Sequence, residues 1–132
     1  MPADYVLTRE LPDMDYDTAV ARVTEELAEE GFGIMTEIDV KATLKKKLDV
    51  DFRRYVILGA CNPGFANRAL REEPFLGALL PCNVVVMVRD GGGSVVAAFK
   101  PSAGFQMVDN DAVQPIADEV EVSLQRALDR LA

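Results

Sequence analysis

The chain has 132 residues, 49% of them hydrophobic, which is enough for one core but too little for two ordinary domains. Its formal net charge of -8 disfavours nucleic acid as a partner, because proteins that bind phosphate backbones normally cluster basic residues on one face. No apolar stretch approaches the ~20 residues of a transmembrane helix, and the N-terminus lacks the basic start and apolar centre of a secretory signal. We therefore expect a single cytoplasmic domain over residues 1–132 that binds neither nucleic acid nor membranes.

The amino-acid types present restrict the chemistry further. The sequence contains no histidine, which excludes Ser–His and Cys–His nucleophiles and imidazole metal ligands together. Its two cysteines, Cys61 and Cys82, lie too far apart in sequence to form a CxxC pair, and their number favours reduced thiols. We expect neither a metal nor a cofactor, and whether the chain is an enzyme stays open.

The first half of the chain predicts two strands, each followed by a helix. A short strand near Tyr5 precedes a helix over residues 17–30 that ends at Gly31. Alternating apolar residues over 32–38 then predict a half-buried strand, with Glu37 on its wetter face. Asp39 is placed to cap a short helix whose apolar stripe is flanked by a solvated run of lysines.

The middle of the chain predicts a strand that turns directly into a helix. The strand covers residues 54–60, and the helix covers residues 63–73. Asn62 is a favoured helix cap, and Pro63 suits the first helical position because its missing N–H needs no partner there. Residues 75–81 are apolar, but Gly77 and the prolines at positions 74 and 81 argue against regular structure.

The last third predicts a β-hairpin followed by a helix. Strands over 83–89 and 94–100 flank a turn with three consecutive glycines, which tolerate the positive φ of tight turns. A loop over 102–109, expected to pack on the sheet rather than to fold over a cavity, leads to a helix that begins near Asn110 or Asp111. Both hairpin strands carry apolar residues on both faces, so we expect helices or a second subunit to cover the sheet, and a homodimer is one way to do so.

The order strand, helix, strand, helix, strand, helix, hairpin, helix indicates the fold class. The hairpin and the long connections favour an α+β domain with a mainly antiparallel sheet packed against helices. A mixed α/β two-layer sandwich is the alternative.

The candidate ligand-binding residues are Cys61, Asn62, Cys82 and Glu37. Cys61 and Asn62 precede a predicted helix, whose positive end favours a thiolate or a bound anion. Cys82 begins an apolar strand and is expected to face the same cavity. Against this interpretation, free cysteine is among the most frequently buried residue types and often serves only as core.

Two segments of the chain carry a family resemblance. Residues 55–63 read YVILGACNP, and residues 77–86 read GALLPCNVVV. Together with the segment around Gly31 and Glu37, they resemble the domain of unknown function DUF302. The resemblance implies an α+β fold with a curved sheet, of the kind grouped with TATA-box-binding-like folds, that is often dimeric and has no established activity.

Two functional hypotheses follow. In the first, the domain binds a small molecule or anion near Cys61, Asn62 and Cys82. In the second, it is a non-catalytic module that forms a homodimer or docks on another protein.

Overall fold

Five strands form one antiparallel sheet, which confirms the predicted α+β class. The computed structural model describes residues 4–131. The strands are β1 (Val6–Leu11), β2 (Gly33–Asp39), β3 (Tyr55–Cys61), β4 (Cys82–Val88) and β5 (Ser94–Phe99). They lie in the order β1-β5-β4-β3-β2, and every neighbouring pair is antiparallel.

The principal helices pack on one face of this sheet. They are α1 (Tyr16–Glu29), α3 (Pro63–Glu72) and α5 (Val113–Asp129). Asp15 caps the start of α1, because its carboxylate accepts a hydrogen bond from the Thr18 N–H and satisfies a free donor of the first turn. Alternate strand residues bury their side chains against this layer: Val56, Leu58, Val84, Val86, Val96 and Ala98. Strand alternation therefore directs the intervening residues to the opposite face.

Helix α2 (Val40–Leu48) differs from the other long helices because none of its residues is buried. It follows β2 directly at the edge of the sheet, and the Asp39 carboxylate caps it by accepting from the Ala42 N–H, as predicted. Its apolar stripe therefore has little of the tertiary packing on which short helices normally depend.

Two connections contain more regular structure than the sequence predicts. The expectation of an irregular connection over 75–81 is wrong, since Pro74–Leu79 forms a 3₁₀ helix. The loop expected over 102–109 contains α4 (Pro101–Gly104) and a second 3₁₀ turn, Phe105–Met107. In both segments a proline occupies the first helical turn, where its missing N–H costs nothing. The expected packing of the second segment is confirmed, because Phe105 is buried in the core.

The β4–β5 hairpin is present as predicted. Gly91, Gly92 and Gly93 all adopt positive φ in its turn, the region that glycine reaches without the strain of a Cβ atom. Among residues 4–131, no helix combines the length and apolarity needed to cross a membrane.

Candidate functional site

Cys61, Asn62 and Cys82 line one small cavity between the sheet and the helices. The β3–β4 register pairs Ala60 with Cys82, which brings the end of β3 beside the start of β4. The cavity measures about 40 Å³, which is room for a few water molecules at most. The structure thus brings three of the four candidate residues together, around a space much smaller than ordinary ligand pockets.

The Asn62 side chain forms hydrogen bonds through both its oxygen and its nitrogen. Its Oδ1 accepts hydrogen bonds from the N–H groups of Gly64, at 3.1 Å, and Phe65, at 3.3 Å. Its Nδ2 donates to the Glu30 carbonyl oxygen at 3.1 Å. The predicted helix cap is confirmed, and it occupies N–H groups that an anion at the start of α3 would need.

The Cys82 thiol is a buried apolar group. Its residue is 6% exposed. Burial, and to a smaller extent the nearby Cys61, raises the pKa of Cys82 to about 11. Because the thiolate is the reactive form of cysteine, Cys82 has the environment of an inert core thiol near neutral pH. Cys61 is only partly buried and is the more accessible of the two.

Glu37 lies on the edge strand β2, opposite Leu58 of β3, and is exposed. It does not line the cavity that contains the cysteines. The fourth candidate residue is therefore separate from the other three, and a ligand-binding role for the set stays a prediction.

A larger concavity lies on the face of the sheet opposite the helices. This open-face groove has a volume of about 590 Å³ and spans β1, β5, β4 and the start of β3. Residues 78–81, at the end of the first 3₁₀ helix, form one wall, and Ala97 lies on the floor between Thr8 and Val85. The sequence does not predict this groove as a site, although the apolar residues on both faces of the hairpin are a signal for it.

A second uncovered apolar region, the β2–α2 surface, is formed by residues 35–52. Of the ten strongly exposed large hydrophobic side chains among residues 4–131, five belong to it. They are Met35, Ile38, Leu48, Val50 and Phe52. Such concentrations of exposed apolar side chains typically mark interaction surfaces.

These features define an α+β domain whose open, five-stranded antiparallel sheet packs against helices on one face. Residues 7–131 match the family described as "Domain of unknown function DUF302". The chain is also similar to the crystal structure of an uncharacterized conserved DUF302 protein from Bacillus stearothermophilus. The identity is 32% and the TM-score 0.90, over 98% of this chain and 100% of that one. The chain belongs to the DUF302 family. A comparison with curated proteins gives no match.

Proposed function

We propose that this chain is a non-catalytic interaction module that forms a homodimer through the β2–α2 surface. The observation that carries the proposal is that residues 35–52 hold five of the ten strongly exposed large hydrophobic side chains among residues 4–131. Met35 is 69% exposed and Leu48 is 66% exposed, so a partner that covers both would remove much apolar surface from water.

The weak packing of α2 supports the same surface. The helix has nine residues and none of them is buried. Isolated helices of this length are marginal in water, since most helical stability comes from packing an amphipathic face. A partner that covers Leu44 and Leu48 would supply that packing.

Charge favours a second copy of this chain as the partner. Helix α2 carries four lysines and no acidic residue, although the whole chain has a net charge of -8. A two-fold dimer brings the same surface of both copies together, and residues 35–52 also carry four acidic residues, Glu37, Asp39, Asp49 and Asp51. Lysines of one copy can therefore meet carboxylates of the other. Lys45 is engaged by Asp49 at 2.9 Å within its own chain, which leaves Lys46 and Lys47 as the better candidates for such contacts.

The test replaces apolar side chains of the surface with glutamate and measures the molar mass by light scattering. Met35→Glu and Leu48→Glu should shift the mass from twice 14.4 kDa toward 14.4 kDa at the same chain concentration. Met107→Glu is the matched control, because Met107 is 74% exposed and lies outside the surface. Dissociation by all three variants alike, or by none, would contradict the proposed interface.

Small-molecule or anion binding near the cysteines is the second candidate function. It is favoured by the fact that Cys61, Asn62 and Cys82 line one cavity. Any ligand there would have to enlarge the cavity, and an anion would also have to displace the Asn62 cap. For both candidates, we place the protein in the cytoplasm.

A further inference from the structure

We propose that the open-face groove binds an uncharged, largely apolar small molecule. The site goes beyond the proposed homodimer and is lined by none of the five exposed hydrophobic residues of the β2–α2 surface, although Phe52 of that surface packs near Tyr55 at the rim of the groove. Its volume of about 590 Å³ falls within the range of roughly 300–1,000 Å³ typical of small-molecule sites.

The lining of the groove defines the chemistry of the ligand. Among residues 4–131, no Asp, Glu, Lys or Arg side chain lines it, although charged residues make up 27% of the sequence. A charged ligand would lose its hydration without gaining an opposite charge. An uncharged ligand does not incur that cost, and it gains from the removal of apolar surface from water.

Small and large side chains together shape the open-face groove. Ala97 lies at its centre, where the sheet register places it between Thr8 on β1 and Val85 on β4. Larger residues stand around it, including Phe99 on the same strand and Leu79 in the adjoining wall. A concave site with a small residue in the floor suits a compact molecule better than the flat surface of another protein.

Polar side chains at the groove offer specific contacts. Tyr5, Thr8, Tyr55 and Asn83 line it. Within the described part of the chain, none of their side chains takes part in a hydrogen bond to another protein group. A few convergent polar groups in an apolar pocket are the usual means of orienting a ligand. The preferred ligand therefore carries hydroxyl, carbonyl or amide groups on an apolar body.

A pair of matched fluorescent probes tests the charge preference. N-phenyl-1-naphthylamine is uncharged, and 1-anilinonaphthalene-8-sulfonate is the same ring system with an added sulfonate. The full chain should bind the uncharged probe saturably, with one site per chain. Its affinity for the anionic probe should be lower by about tenfold or more. Equal binding of both probes, or saturable binding of neither, would overturn the proposal.

Variants that fill the open-face groove test where the probe binds. Ala97→Leu should weaken binding of N-phenyl-1-naphthylamine by about tenfold or more, because the added carbons occupy the ligand's space. Ala21→Leu makes the same change on the exposed side of α1 and should leave binding unchanged. Thr8→Tyr is a second filling variant at an exposed strand position, which keeps the test valid where Ala97→Leu fails to fold. Unchanged binding in a folded filling variant would place the probe elsewhere.

The homodimer is tested separately. Leu48→Glu should retain probe binding even where it dissociates the dimer, because Leu48 does not line the groove. If Ala97→Leu instead dissociated the dimer while the unaltered chain bound no probe, a second copy would be the occupant of the groove. That result would overturn the small-molecule proposal.

Discussion

Replacement of Cys82 distinguishes a structural thiol from a functional one. The side chain is buried among core residues at the start of β4, and the cavity beside it has only about 40 Å³. Cys82→Ser replaces a weakly polar thiol with a hydroxyl that needs a stronger hydrogen-bond partner. Cys82→Ala removes the sulfur and leaves the cavity larger.

The structure sets the expected magnitude of both changes. A buried hydroxyl without a partner costs about 1–3 kcal/mol of folding free energy. Removal of a group about the size of a methyl costs about 1 kcal/mol through lost packing. For a chain of this length, 1 kcal/mol lowers the midpoint of thermal unfolding by roughly 4 °C. We therefore expect Cys82→Ser to lower the midpoint by about 8 °C and Cys82→Ala by about half as much.

Urea denaturation, thermal melting and cysteine alkylation together provide the assay. In the native protein, iodoacetamide should alkylate Cys82 only as fast as the chain unfolds, whereas it should alkylate the more accessible Cys61 earlier. Rapid native alkylation of Cys82 near neutral pH would refute its assignment as a core thiol. An unchanged midpoint of thermal unfolding in Cys82→Ser would refute it as well. Either result would favour ligand binding near the cysteines over the interaction module.

Two further predictions concern stability. Asn62→Ala should lower the free energy of unfolding in urea by about 1–2 kcal/mol, because it removes the cap of α3 and the hydrogen bond to the Glu30 carbonyl. Asn62→Asp should recover part of that loss, because aspartate can also cap a helix. Equal losses in the two variants would contradict the capping role. The hydrogen bond from Arg130 holds the pKa of Glu26 below its ordinary value, so the ion pair stabilises the fold above the unfolded pKa and is lost as the pH falls through the lowered folded pKa. Thermal melts from about pH 5 to pH 3 should therefore decline less steeply in Arg130→Gln than in the unaltered chain, and parallel declines would contradict this.

Local signals in the sequence predict much of the fold. Asn62 and Pro63 mark the start of α3 because capping depends on a few neighbouring atoms. The three glycines of the β4–β5 turn mark the hairpin for a similar reason. The Pro74–Leu79 segment was missed because its proline and glycine are compatible with a 3₁₀ helix as well as with irregular structure.

The surroundings of the candidate residues depend on tertiary contacts that the sequence does not reveal. The burial of Cys82 depends on the packing of β4 against the helix layer. The open-face groove combines residues from strands far apart in sequence, such as Thr8 and Ala97. Alternation in β4 and β5 shows that two apolar faces exist, but the connections between elements decide which face the helices cover.

The molar mass of the unaltered chain, measured by sedimentation equilibrium over a range of concentrations, tests the central claim most directly. The proposed homodimer predicts a mass of twice 14.4 kDa, falling toward the single-chain value only on strong dilution or in Met35→Glu. A mass of 14.4 kDa at every concentration would contradict the homodimer and leave the β2–α2 surface for a different partner.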